Sequence, residues 1–187
     1  MILASASPRR RELLARAGYE FDVVVPQIQE AAFPTEGAHP APYARKLALA
    51  KAENVAERFP DALVIGADTI VDFNGEIIGK PADAKEAELI TRKLFCAPHR
   101  VITGVALVRL SDGTKMVESD TTVVYPRKLT DEQIAAHISS KSWRDKAGAY
   151  AIRENGDKFI ERIEGSLTNV MGLPMELLHE LLEEFPG

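Results

Sequence analysis

The feature that most constrains the fold is local. Residues 62–73 are apolar and rich in β-branched side chains, and they run straight into Asn74-Gly75. That pair is the best-suited sequence for a two-residue hairpin turn, so 62–73 is a strand that returns along Glu76–Ile78. A second hairpin is predicted between 101–110 and 115–125 around Ser111-Asp112-Gly113, and a third between 150–153 and 158–163 around Asn155-Gly156. Helical segments alternate with these strands. After a short strand at 1–4, Ser7 suits an N-cap and Pro8 a first helical position, and Gly18 suits the residue after the helix end. A strand at 21–25 leads into a loose loop at 31–42. Residues 41–58 form a helix with Ala44, Leu47, Ala48, Lys51 and Val55 near one stripe. Asp83 caps a helix reaching about Leu94, Thr130 to Gln133 is a capping box, and Pro174 opens a last helix ending near Glu184. This order predicts an α/β protein with a mixed sheet.

Composition narrows the function. The chain has 187 residues, enough for one domain with a sizeable core or for two small lobes. No apolar run approaches the roughly 20 residues of a membrane span, and the arginine-rich opening is not that of a signal peptide. The net charge of −5 argues against a nucleic-acid polymer as partner, though a local cationic cleft for a small polyanion remains compatible with it. Cys96, the one cysteine, cannot pair internally, which points to a reducing, cytoplasmic setting and to a buried, inert thiol. His39, His99, His137 and His179 have no ligand-like spacing, so no zinc site is expected.

Chemistry concentrates at a few positions. Arg9, Arg10 and Arg11 crowd a first helical turn, where the helix dipole disfavours cations. Either the turn is solvated, or an anion sits at the helix end and reverses the sign. Asp68 interrupts the apolar run and is expected near a strand end or bend, as a paired structural carboxylate or as a metal- and proton-handling one. Gly66 beside it permits close backbone approach, as a ligand site would need. Lys80 lies in a rigid loop between Gly79 and Pro81; Lys51 sits on an apolar stripe, where lysine normally snorkels; Glu30 lies in a loop. Together they form the inventory of a metal-assisted phosphoryl-transfer site. No Walker motif, kinase glycine loop, G-x-S-x-G elbow or Rossmann fingerprint occurs.

Five ordered segments, Leu3 to Arg10, Gly66-Ala67-Asp68-Thr69, Gly79-Lys80-Pro81, Asp145 to Tyr150 and Asn169 to Pro174, resemble the Maf family over nearly the whole chain. The resemblance implies a single domain over 1–187 with an inosine-triphosphatase-like fold: a curved mixed β-sheet flanked by helices, with two lobes around a cleft. It implies nucleoside triphosphate pyrophosphatases that split the α–β bond and release a monophosphate and pyrophosphate. It also implies a divalent cation (Mg, Mn or Co), a cytoplasmic location and a homodimer. By the same resemblance Asp68 matches the catalytic aspartate and Glu30 its metal-associated glutamate. Lys51 and Lys80, with Ser7 and Arg10, match phosphate-contacting positions, and Arg9 and Thr69 match specificity positions of the dTTP/UTP-preferring subgroup. Two departures stand out. Arg153 follows Ala149-Tyr150-Ala151-Ile152 where the subgroup has Gln, which bears on base selectivity and on CTP as a substrate. Residues 139–143 lack the glutamate common before Trp143, in what reads as a surface loop. The alternatives are a nucleotide-binding regulator of septum formation acting through a protein partner, and a phosphatase releasing orthophosphate.

Overall fold

A computed structural model describes residues 1–144, 146–150 and 159–186. Its seven strands are β1 (Ile2–Ala4), β2 (Asp22–Val23), β3 (Val64–Phe73), β4 (Glu76–Ile78), β5 (His99–Arg109), β6 (Thr114–Pro126) and β7 (Ile160–Glu164). They form one sheet in the order β2-β1-β3-β5-β6-β7, with β4 paired to β3 outside this path. β1 is parallel to β2 and β3, and every other pairing is antiparallel, so the sheet is mixed as expected. The helices are α1 (Pro8–Arg16), α2 (Pro40–Ala56), α3 (Ala84–Leu94), α4 (Asp131–Ser139), α5 (Leu167–Met171) and α6 (Met175–Glu184).

The run at 62–73 shows no alternation because β3 is covered on both faces. Ile65 and Ala67 pack with Val105 and Leu107 of β5 against Leu13 and Leu14 of α1 and Leu178 and Leu181 of α6. The alternate residue Val64 packs with Ala106 and Val108 against Ala48, Ala52, Val55 and Ala56 of α2. Further along, Val71 joins a second core with Leu94, Phe95, Val101, Val124, Tyr150 and Val170. The two cores meet at α5, where Val170 belongs to one and Met171 to the other.

α2 lies unusually close to the sheet. A Cβ at Gly66 would stand 2.3 Å from the Ala48 carbonyl oxygen, and one at Gly104 would stand 2.4 Å from that of Ala44. Gly66 therefore admits a helix, not a ligand as the sequence suggested. The turn signals hold: Asn74 and Gly75 both adopt left-handed φ, at 54° and 90°, as a primed hairpin turn requires. The Asp83 cap and the Thr130–Gln133 capping box are both formed.

Several expectations need correction. Ser7 occupies the N-cap of α1, but its side chain makes no capping bond. β2 is only two residues long, and a 3-10 turn at Glu30–Ala32 stands at the edge of the expected loop. α5 has no counterpart in the sequence reading, since five residues carry too little periodicity. Cys96 is exposed, its Sγ 2.9 Å from the Lys93 carbonyl oxygen. The turn of the third hairpin lies outside the described residues, which resume with β7 paired to β6.

Candidate active site

A cleft of about 750 Å³ runs between the segment entering α1 and the turn that precedes Tyr150. Its floor is β3, at the place where that strand lacks a neighbour. β1 stops opposite Gly66 and β4 begins only opposite Val71, so among the described residues no strand pairs with the backbone from 67 to 70 on that side. Asp68 sits in this opening, in the middle of the ten-residue β3 and opposite Gly104. The expectation of a strand end or bend was wrong: β3 continues, and it is β1 that ends.

Asp68 shares its face with Gly66 and Gly104, the face on which α2 lies. The close approach of that helix delivers Lys51. Its Nζ stands 2.6 Å from Asp68 Oδ1 and 2.8 Å from Glu30 Oε1. Lys51 and Asp68 are each only 8% exposed, so this lysine does not snorkel but is neutralised in place. Lys80 Nζ lies 3.4 Å from the other oxygen of Glu30. Partial burial would by itself raise the Glu30 pKa; Lys51 and Lys80 outweigh it and hold the carboxyl below its ordinary value.

The opposite face of β3 carries Thr69. Its hydroxyl is 3.0 Å from Arg10 Nη2 and 2.9 Å from Thr103 Oγ1. Arg10 also donates from Nη1 to the carbonyl of Ala67, the first β3 residue past the end of β1, and from Nε to that of Gly172. The cation in the first turn of α1 is thus held by protein acceptors before any ligand arrives, and two of its five N–H groups remain for one. Arg9 lines the cleft beside it, its pKa lowered by burial. No acidic side chain occupies the first turn of α1, and Ser7 and Pro8 both face the cleft.

The structure therefore gathers Ser7, Arg9, Arg10, Glu30, Lys51, Asp68, Thr69 and Lys80 around one cavity, while Arg153 lies outside the described residues. It adds residues that sequence reasoning passed over. Arg144, Lys146 and Tyr150 form part of the far wall. The signal lies in the segment Asp145 to Tyr150, whose resemblance to the family did not mark individual side chains; Asp145 itself is outside the described residues. Nor is 139–143 only a surface loop, because Trp143 is buried with Ala87 and Ala149 and donates to the Ile138 carbonyl. Asn169 is buried as a clamp, its amide donating to Val101 O and Thr122 Oγ1.

Among the described residues, six cationic side chains (Arg9, Arg10, Lys51, Lys80, Arg144 and Lys146) and two carboxylates line this cleft, on a chain of net charge −5. Among the described residues no group of three or more His, Cys, Asp or Glu side chains is placed to ligate a metal. Two carboxylates that share one ammonium nevertheless fit a hard cation such as Mg²⁺, which commonly takes one or two carboxylates and completes its shell with phosphate oxygens and water.

The fold and site define a class: an open α/β sheet whose floor strand is bared at a buried Lys–Asp pair, beneath a cationic cleft suited to a polyphosphate. The chain belongs to the Maf family, whose model, described as Maf-like protein, matches residues 1–185. It is 46% identical over 182 residues to a protein of Geobacter metallireducens named dTTP/UTP pyrophosphatase, with 97% of this chain and 94% of that one covered. Proteins of the same name from Symbiobacterium thermophilum and Alkaliphilus metalliredigens are each 44% identical over 185 residues, covering 93% and 95% of those proteins and 99% and 98% of this chain. Among the described residues no helix is long and apolar enough to cross a membrane.

Proposed function

We propose that this chain is a nucleoside triphosphate pyrophosphatase acting on dTTP- and UTP-type nucleotides. The observation that carries this reading is the gathering of five further cations around the Lys51–Asp68–Glu30 cluster in one cleft. The names of the relatives point the same way.

The residues divide the work. Arg9, Lys80 and the open end of α1 hold the phosphates, and Arg10 adds its two remaining donors. Asp68 is the group placed to accept a proton from water as the water oxygen attacks the α-phosphorus. As that P–O bond forms, the bond from the α-phosphorus to the bridging oxygen breaks, and its electron pair leaves with pyrophosphate. Lys51 bridges Asp68 and Glu30 and aligns them on one side of the cleft. A divalent cation held by Asp68 and Glu30 would supply neutralisation of the phosphate charge and a lowered pKa for water.

The test is product identification with dTTP, UTP and CTP, each with Mg²⁺, Mn²⁺ or Co²⁺. Pyrophosphate and the monophosphate are expected; orthophosphate as the sole product overturns the reading. Asp68→Asn keeps the shape of the side chain and an acceptor for Lys51, yet removes the base. Its kcat is expected to fall on the order of 10³-fold with the fold intact, read by pyrophosphate release beside circular dichroism.

A further inference from the structure

The groups assigned to the phosphates, Arg9, Arg10, Lys80 and the open end of α1, account for only part of the cleft lining. Part of the remaining lining is apolar and continuous with the second core: Val71, Val101, Tyr150 and Val170 all belong to that packed cluster and also face the cavity. Tyr150 is the aromatic side chain among them. It is held at its hydroxyl and by two neighbouring rings while it lines the cleft. Its hydroxyl is 2.6 Å from His99 Nε2, and its ring meets those of Phe95 and His99 edge-on, with centroids 5.5 Å apart in each case. His99 is buried, and that burial lowers its pKa, so it holds the tyrosine as a neutral imidazole at pH 7.

The backbone before Tyr150 is also fixed. Gly148 and Ala149 both adopt left-handed φ, 71° and 61°. For alanine this conformation is strained and persists only where the surroundings impose it. Here they do. Gly148 N donates to the Gly79 carbonyl, His137 Nε2 donates to the Ala149 carbonyl at 2.8 Å, and a Cβ at Gly148 would stand 2.8 Å from Val71. Two buried histidines and a strained alanine thus converge on the placement of one ring at the edge of a cleft.

We propose that Tyr150 is the wall against which the planar base of the bound nucleotide lies, and that His99 and His137 are positioning residues acting through it. The inference rests on the nucleotide reading above and deepens it. A triphosphate offers the cations nothing that separates it from inorganic polyphosphate; an apolar aromatic wall recognises the base. Because the hydroxyl is engaged with His99, the ring is what this residue presents, and ring contact is tolerant of which pyrimidine is bound.

The experiment compares dTTP with inorganic tripolyphosphate, which has the charge but no base. Dissociation constants are read by calorimetry, and KM and kcat for dTTP are measured on the same preparations. Tyr150→Ala is expected to weaken dTTP about tenfold while tripolyphosphate stays within about twofold. His99→Ala is expected to raise the KM for dTTP several-fold with kcat little changed. His99→Gln, which can still bond the hydroxyl, recovers most of that loss. Should Tyr150→Ala fail to fold, Tyr150→Phe keeps the ring and breaks the link, and is expected to match His99→Ala. Unchanged dTTP affinity in these variants overturns the proposal, as does parallel weakening of dTTP and tripolyphosphate. A wild-type chain that binds dTTP more tightly than tripolyphosphate yet releases no pyrophosphate overturns the hydrolytic reading and leaves the base wall standing.

Discussion

Lys51 shows what a single residue decides here. A lysine on the apolar stripe of a helix ordinarily lifts its ammonium to water; this one ends between Asp68 and Glu30, which α2 reaches by its close approach to the sheet. Removing one partner of a buried pair costs more than the pair contributes, since a charge is left behind. Lys51→Met is therefore expected to lower stability by about 3 kcal/mol at pH 7, measured by urea denaturation, whereas Lys51→Met with Asp68→Leu recovers most of the loss. Glu30 gives a pH-dependent counterpart. Its folded pKa lies below the unfolded one, so its contribution is fully present above the unfolded value, about 4.3, and is lost as pH falls through the folded value. The gap in Tm between wild type and Glu30→Gln should be open at pH 6 to 8 and should narrow as pH falls below the unfolded value, closing once the folded carboxyl is protonated. A gap that persists at low pH assigns Glu30 a role other than ion pairing.

At the scale of elements, the distance between α2 and the sheet sets the site. α2 lays its own backbone at Ala44, Ala48 and Ala52, spaced four residues apart, against the bare backbone of Gly66 and Gly104. One methyl group at either glycine would meet backbone atoms, which cannot swing aside. Gly66→Ala is expected to cost at least about 2 kcal/mol and to lower kcat with it, because Lys51 and Asp68 separate. Gly79→Ala, in open space with an ordinary φ, serves as the control and should leave Tm unchanged. This contact also marks the limit of the sequence reading. Hairpin turns and capping boxes are written in two to four adjacent residues, and Asn74-Gly75 and Thr130 to Gln133 could be read directly. Whether a glycine in a strand faces a ligand or a helix depends on Ala48, eighteen residues away, and nothing local at Gly66 distinguishes the two. The placement of Asp68 was misread for the same kind of reason: the opening around it is made by the end of β1, which leaves no mark in the sequence of β3. Arg10 was legible as a conflict at a helix start, but its acceptors at Ala67 and Gly172 lie on distant segments.

For the whole molecule, charge is divided between cleft and exterior. A chain of net charge −5 that gathers six cations into one cavity leaves the rest of its surface more acidic than the sum suggests. Such a surface repels a nucleic-acid polymer, which must approach over a wide area, while a small triphosphate can enter the cleft and meet a field of the opposite sign. Salt acts on the approach more strongly than on the chemistry, because the Lys51–Asp68 pair is buried whereas Arg144 and Lys80 are exposed to counter-ions. Raising KCl from about 0.05 M to about 0.5 M shortens the Debye length to roughly 4 Å and should lower kcat/KM for dTTP several-fold, mainly through KM. Arg144→Gln removes one cation from the far wall without touching Asp68, Lys51 or Glu30. It should flatten that salt dependence while leaving kcat within about twofold of wild type. A kcat/KM indifferent to salt, or a slope unaltered by Arg144→Gln, would show that the far wall takes no part in drawing the substrate in.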